Sequence, residues 1–327
     1  MVFEFTASPE FDFITRFAEH VGVPVRNNLL KIPAHLGEGY IRKVGFEVGF
    51  KLMVHHYVLK EDLIIMRNPN LNPDPLRTIF FYNNKESLEL DYNNEEHVPF
   101  SRKNDSAIQL STNDLRSVIR FPAGNVIQYL VVGIKADKLR ALLAINKPKG
   151  TIATVLSDEV SYMFFEGLNA EMQILLKHIV SANIKNQLYN FYVKTKLQEL
   201  LYLLFTNLSL RENSVSKSIN SDDAEKLLVI RNEILSDLSR PPVISKLATI
   251  AAMSETKLKQ LFKQTFGSTI YNYYQRTRME EAAFLLKQAK LSVSEVGYTL
   301  GFSNLSHFIR LFERQYGLTP KKFTYTE

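Results

Sequence analysis

One segment is repeated near the end of the chain, and this repeat constrains the fold more than any other feature. Residues 243–267 read VISKLATIAAMSETKLKQLFKQTFG, and residues 292–317 read SVSEVGYTLGFSNLSHFIRLFERQYG. Small, apolar and capping residues take equivalent positions in the two copies, with one extra residue in the second. A solenoid needs about three or more such units. The repeat therefore predicts a duplicated supersecondary motif.

Each copy contains the parts of a helix-turn-helix in order. A short first helix carries a small residue, Ala248 or Gly297, where a second helix must cross closely. An apolar residue, Met253 or Phe302, follows the turn, and a serine suited to cap the next helix comes directly after it. The second helix places apolar residues four positions apart on its inner face. Two such copies predict a helical domain that binds DNA through two recognition helices.

The outer faces of the two recognition helices are the predicted DNA-contacting surfaces, because this face enters the major groove. The candidate contact residues are Thr256, Lys259, Gln260 and Lys263 in the first unit and Asn304, Leu305, Ser306, Ile309 and Arg310 in the second. The second face offers few polar groups besides Arg310. Either Leu305 and Ile309 contact thymine methyl groups, or the second unit contacts mainly the DNA backbone.

The segment between the copies, Ile270 to Lys287, has the pattern of one continuous helix. About 18 helical residues span roughly 27 Å. Successive major-groove faces of B-DNA lie about 34 Å apart. A rigid helix of this order can hold two recognition helices in adjacent grooves on one side of the duplex.

The excess positive charge of the chain is confined to its last quarter. The net charge is +6, and residues 241–327 hold 12 Lys and Arg against 6 Asp and Glu. The remaining residues carry 28 charges of each sign. A basic terminal domain on a neutral body indicates a polyanionic partner, with nucleic acid favoured over an anionic membrane.

The first 165 residues favour strands. Side chains alternate from Lys51 to Val58, which places His55 and His56 on opposite faces of a half-buried strand. Further strands are predicted at 63–66, 78–82, 117–121 and 126–134, and helices near 11–20 and 136–143. Short strands separated by polar turns are typical of a β-sandwich or β-barrel.

The apolar period changes after about residue 165. Met172, Leu175, Leu176 and Ile179 have helical spacing, and a second helix over 189–208 has a broad apolar surface. These helices either cover the β-domain or form a dimer seam. The predicted organisation is a β-rich sensing domain at 1–165, a helical connector at 166–210, a linker at 211–222 and a DNA-binding domain at 223–327.

The last hundred residues resemble the DNA-binding domain of the AraC/XylS family of bacterial transcription regulators. The residues that carry the resemblance are Tyr273, Arg278, Ala282, Leu285, Leu286, Val293, Gly301, Phe302, Phe308, Phe312, Gly317, Thr319, Pro320 and Phe323. The resemblance implies that Thr256, Lys259, Gln260, Leu305, Ser306, Ile309 and Arg310 face the grooves. It also implies an N-terminal domain, often a cupin-like barrel, that senses a signal or dimerises.

Two positions depart from the family pattern. Ala252 stands in the first turn where the family usually has glycine, and Gly297 stands where it usually has alanine. If the turn requires a positive φ, the Cβ of Ala252 costs on the order of 1 kcal/mol.

Several function classes lack sequence support. The chain has no cysteine, which excludes disulfides and thiol catalysis and agrees with a reducing cytoplasm. No apolar run approaches the roughly 20 residues of a membrane span, and no secretory signal is visible. A phosphate-binding loop and a nucleophile elbow are also missing. His55 and His56 cannot line one interior, and the spaced His-x-His with a downstream Glu is missing, so we expect no metal site. Because no catalytic motif is visible, we also expect no cofactor and no enzyme activity.

The resulting hypothesis is an α+β multidomain transcription regulator of the cytoplasm. Its N-terminal part is a cupin-like β-barrel or sandwich with a helical connector, and its C-terminal part is an all-α domain with two helix-turn-helix motifs. The expected partners are double-stranded promoter or operator DNA, a small-molecule effector, a second copy of the chain and RNA polymerase. The alternatives are a cupin-type metal enzyme fused to a DNA-binding domain, and a regulator whose N-terminal domain binds a protein.

Overall fold

A computed structural model of the chain describes residues 1–8, 10–70, 76–83, 89–92, 96–99, 106–211, 217–288 and 290–325. The chain divides into two compact units, Met1–Glu225 and Lys226–Glu327. No helix among the described residues combines the length and the apolar character that a membrane span requires.

Two β-sheets form the frame of the first unit. Within the described residues the larger sheet has the strand order β12 (Met163–Gly167), β9 (Ser106–Thr112), β6 (Leu76–Asn83), β11 (Val126–Lys135), β4 (Phe50–Leu59), β3 (Gly37–Glu47), β2 (Leu29–Lys31). The smaller sheet has the order β1 (Val2–Thr6), β5 (Leu63–Asn68), β10 (Ser117–Phe121), β7 (Glu89–Tyr92), β8 (Glu96–Pro99). β1 and β5 pair in parallel, and the other pairs are antiparallel.

The two faces of the larger sheet meet different partners, as the alternation along β4 predicts. Leu52 and Val54 join a large apolar core on one face, whereas Met53 and His55 line a cavity on the other. Strand residues of the smaller sheet line the same cavity. The first unit is therefore a cupin-like β-sandwich, and the predicted fold class is confirmed.

The helices that follow β11 cover the outer face of the larger sheet. The helices of the first unit are α1 (Phe13–Val21), α2 (Ala136–Leu143), α3 (Gly150–Leu156), α4 (Ala170–Val180) and α5 (Tyr189–Ser209). Leu176 of α4 and Leu200 of α5 belong to the same buried core as Leu52. The helices predicted after residue 165 thus pack on the β-domain, which is the first of the two interpretations of their apolar faces.

Helices make up the second unit, and the first of them begins just before Lys226. They are α6 (Ser221–Ser236), α7 (Ile244–Ile250), α8 (Glu255–Phe266), α9 (Ile270–Lys287), α10 (Val293–Thr299), α11 (Leu305–Tyr316) and α12 (Pro320–Phe323). The linking helix α9 has the bounds that the sequence predicts. The predicted linker at 211–222 lies partly outside the described residues, and its last two residues already belong to α6.

Candidate nucleic-acid interface

The first helix-turn-helix consists of α7 and α8. Ala248 is buried at the crossing of the two helices, and its carbonyl accepts a hydrogen bond from the amide of Met253 at 3.0 Å. The Ser254 side chain accepts from the amide of Lys257 at 3.2 Å and caps α8, as predicted. Leu258 and Phe262 are fully buried, so the inner face of α8 is the one that the apolar spacing indicates.

The second helix-turn-helix consists of α10 and α11 and repeats the same turn. The amide of Phe302 donates to the carbonyl of Gly297 at 3.0 Å, which matches the Met253–Ala248 bond of the first helix-turn-helix. Phe308 and Phe312 are fully buried. Each turn contains a residue with positive φ, Ala252 at 48° in the first and Gly301 at 75° in the second. The family departure at Ala252 therefore does place a Cβ in the left-handed region.

The cap of the second recognition helix differs from the prediction. Asn304, and not the preceding serine, caps α11, because its side chain accepts from the amide of His307 at 3.2 Å. The extra residue of the second copy moves the helix start by one position. Asn304 is exposed and stays a candidate DNA contact. Its side chain also caps the N-terminus of α11.

The candidate contact residues differ in exposure. Thr256, Lys259, Gln260, Asn304, Ser306 and Arg310 are exposed, whereas Lys263, Leu305 and Ile309 are half-buried. Leu305 lies against Gly297, since a Cβ built on this glycine would be 2.7 Å from Leu305 Cδ2. Gly297 leaves space for the Leu305 side chain. This packing explains why glycine stands where the family usually has alanine.

Lys259 and Arg310, two of the cations on the recognition faces, have different surroundings. Lys259 Nζ lies 2.9 Å from Glu255 Oε2 one turn earlier, and both side chains are about half exposed. Such surface pairs contribute little, so Lys259 is readily released to a phosphate. Arg310 makes no ion pair or hydrogen bond with any described residue. Its guanidinium is therefore available to a base edge or a phosphate.

Linking helix α9 contacts both helix-turn-helix motifs. In the first helix-turn-helix, the Phe262 ring of α8 lies edge-on to the Tyr273 ring with centres 5.4 Å apart. The Tyr273 hydroxyl also accepts a hydrogen bond from Arg231 Nε of α6 at 2.9 Å. In the second, Arg278 Nε donates to the Leu300 carbonyl at 2.7 Å, and its guanidinium lies 3.5 Å from the Phe302 ring centre. Burial lowers the pKa of Arg278. Sequence reasoning marked Arg278 only through the family resemblance and did not find its place at the second turn.

Comparison with known proteins agrees with this geometry. The family described as "Helix-turn-helix domain" matches residues 247–325, which contain both units. The match identifies residues 247–325 as a helix-turn-helix domain, which agrees with the predicted resemblance of this segment to AraC/XylS regulators. The transcriptional activator RhaR of Escherichia coli (strain K12) is 30% identical over 129 residues, 39% of this chain and 46% of RhaR. The RhaR of Shigella flexneri serotype 5b (strain 8401) matches to the same extent. The chain thus spans about half the length of the curated relatives it matches.

Solved structures of AraC-type regulators also resemble the chain. An AraC-type DNA-binding domain-containing regulator from Chromobacterium violaceum is 27% identical over 32% of this chain and 94% of that chain, with a TM-score of 0.30. Vibrio cholerae ToxT, in a structure with bound unsaturated fatty acid, is 17% identical over 85% of this chain and 96% of that chain, with a TM-score of 0.33.

Proposed function

We propose that this chain is a sequence-specific DNA-binding transcription regulator. The observation that carries the proposal is the pair of helix-turn-helix units on linking helix α9, each with an exposed polar or cationic face on its recognition helix. Lys and Arg would supply salt-dependent binding to phosphates, and a few side chains would read bases. A DNA partner requires the chain to work in the compartment that holds DNA, which for a bacterial regulator is the cytoplasm.

The proposed division of labour follows the domain organisation. Residues 1–165 sense a signal, the helices within 166–210 support that domain or pair with a second copy, and residues 223–327 bind DNA. A bound effector would act by shifting an equilibrium between states of the regulator and would not be chemically changed. RNA polymerase is a further proposed partner. Among the described residues, no three His, Asp or Glu side chains come together as a metal site would need, so no observation favours the metal-enzyme alternative.

The two recognition helices make separable contributions in this proposal. Gln260 presents a bidentate amide on α8, and Arg310 presents on α11 a cation that no residue in the described part of the chain pairs with. We expect Gln260→Ala to relax preference at one base pair by about 1–3 kcal/mol. We expect Arg310→Ala to lower affinity and to reduce the slope of log affinity against log salt by about 1.

The experiment first selects bound duplexes from a random DNA pool with the full chain. The variants are then titrated against the selected sequence at several salt concentrations. Arg16→Ala is the control, because Arg16 is an exposed arginine on α1 of the first unit. Failure of the full chain to enrich any sequence would contradict the proposed function. An Arg310→Ala variant that matches the parent in affinity and salt slope would remove Arg310 from the interface.

A further inference from the structure

A cavity of about 130 Å³ lies between the two sheets of the first unit. Met53, Phe80 and Val131 line it from the larger sheet, and Ile65 and Ile119 line it from the smaller one. A cavity of about 150 Å³ lined by apolar side chains holds a benzene molecule. The cavity therefore has room for a molecule of about that size.

One buried cation in the cavity wall lacks a full set of partners. Arg67 is 7% exposed, and its Nη2 donates to Ser111 Oγ at 3.2 Å and to the Leu115 carbonyl at 3.4 Å. The Nε–H group is buried and has no hydrogen-bond partner among the described residues. Asp114 acts on Arg67 only through space and forms no ion pair with it. A buried guanidinium in this state is stabilised by an anion that accepts from it.

Further polar groups lie in the cross-strand row that ends at Ser111. The strand register places Lys51 opposite Gly133, Gly133 opposite Thr78, and Thr78 opposite Ser111. The next row consists of Met53, Val131, Phe80 and Gln109. The cavity is therefore polar and cationic along one edge and mainly apolar beside it.

The charges that face the cavity leave it positive. Lys51 lines it, and its Nζ donates to the carbonyl of Phe11. Asp12 is the carboxylate in the wall, but its Oδ2 lies 2.8 Å from Lys43 Nζ, which neutralises it. Burial lowers the pKa of Arg67 to about 10, so the guanidinium stays charged at neutral pH.

We propose that this cavity binds a small amphipathic monocarboxylate. Its carboxylate accepts from Arg67 and from the hydroxyls of the neighbouring row, and its apolar body lies against Met53, Phe80 and Val131. The inference deepens the proposed function, on which its regulatory meaning rests, because it names the class of signal that the sensing domain detects.

The test compares acids with uncharged analogues of the same shape. Phenylacetate and hexanoate are titrated into the full chain by calorimetry and thermal unfolding, beside phenylacetamide and hexanamide. We expect at least one acid to bind and to raise the unfolding midpoint, with affinity about 10-fold or more above its amide. Equal binding of acids and amides, or binding of neither, would overturn the proposal.

Variants of Arg67 test the residue itself. We expect Arg67→Met to lower acid affinity about 10-fold or more while leaving amide affinity unchanged, and Arg16→Met to have no effect. Retained acid binding in a folded Arg67→Met protein would overturn the assignment. If this variant does not fold, the acid–amide comparison on the unaltered chain still decides.

The ligand proposal and the DNA-binding proposal can be contradicted independently of each other. Specific DNA binding by the ligand-free chain is measured on the same preparation. DNA binding without acid binding would overturn the ligand class alone, and acid binding without specific DNA binding would overturn the regulator function alone.

Discussion

At the scale of single residues, Ala252 holds a backbone conformation that its side chain disfavours. Its φ of 48° lies in the left-handed region, where a Cβ costs about 1–2 kcal/mol. Glycine removes this cost but adds freedom to the unfolded chain, which offsets up to about 1 kcal/mol. We therefore expect Ala252→Gly to raise the free energy of unfolding by about 0.5–1 kcal/mol, measured by urea unfolding followed by circular dichroism.

Gly301 supplies the matched control for Ala252. It occupies the equivalent position of the second turn, and a Cβ there would overlap with the backbone oxygen of Ser239. We expect Gly301→Ala to destabilise the domain by more than the first change stabilises it. An Ala252→Gly variant that is less stable than the parent would show that the first turn carries no strain.

His55 couples the stability of the first unit to pH. The ring is fully buried and stacks on Tyr129 with ring centres 4.0 Å apart. Burial lowers the pKa of His55 to about 3, against about 6.5 in the unfolded chain. The unfolded state therefore binds the extra proton first. The stability contributed by neutral His55 is complete above pH 6.5 and is lost progressively as the pH falls toward 3.

The expected pH effect is measurable in a narrow window above the carboxylate range. Between pH 6.5 and pH 5 we expect the free energy of unfolding to fall by about 1–2 kcal/mol because of His55. The His55→Phe variant should lose this part of the slope, and His35→Gln, at an exposed histidine of the same unit, should retain it. Urea titrations at several pH values measure the slopes. An unchanged slope in His55→Phe would refute the buried-proton account.

At the scale of elements, the sequence predicted those segments whose period is visible in their own residues. The strand over 51–58 was predicted from its alternation, and linking helix α9 from its helical spacing. The expectation of a half-buried strand was wrong, because β4 faces the core on one side and the cavity on the other. Strand β3 was not predicted, because its three glycines interrupt any apolar alternation. Strand β12 was missed because a short run such as Met163 to Phe165 does not distinguish strand from helix by periodicity.

The predictability of the candidate interface follows the same rule. The outward direction of Gln260 and Arg310 follows from helical spacing alone, so it could be predicted. The half-buried state of Leu305 could not, because it depends on the missing side chain of Gly297 on a different helix. The Arg67 environment also escaped prediction, since it brings together strands that are distant in sequence.

Arg278 connects two elements, α9 and the turn before α11. Arg278→Met would remove the hydrogen bond to the Leu300 carbonyl and the contact with the Phe302 ring. We expect a loss of about 2–3 kcal/mol in unfolding free energy. Hydrogen exchange should show faster exchange of amides in α10 and α11 than in α7 and α8.

Arg276→Met is the control on the same helix. Arg276 is half exposed, and its Nε lies 3.7 Å from Glu280 Oε1, a surface pair that contributes little. The control should therefore lose less than about 1 kcal/mol. Equal exchange rates in both helix-turn-helix units of Arg278→Met would mean that Arg278 does not fasten the second turn.

At the scale of the whole molecule, helix α5 buries one apolar face and exposes two aromatic side chains on another side. Val193, Leu197 and Leu200 are buried in the core of the first unit. Phe191 and Tyr202, 11 residues apart and hence on one side of the helix, are 70% and 67% exposed. The covering role of α5 is present in the structure, and the second face supports the proposal of a homodimer. Aromatic side chains are enriched at protein interfaces, so these two are candidate anchors for a second copy.

A two-fold pairing would set the exposed faces of two α5 helices against each other, because such an interface uses the same surface on both copies. We expect the full chain to sediment as a dimer at micromolar concentration and Phe191→Glu and Tyr202→Glu to sediment as monomers, since each places a charge in the apolar contact. Ile145→Glu, at a half-exposed apolar residue elsewhere in the same unit, should remain dimeric. Each variant should keep the circular dichroism of the parent, because neither substituted side chain belongs to the buried core. A monomeric parent chain, or dimers that persist in both α5 variants, would leave α5 as a covering helix alone.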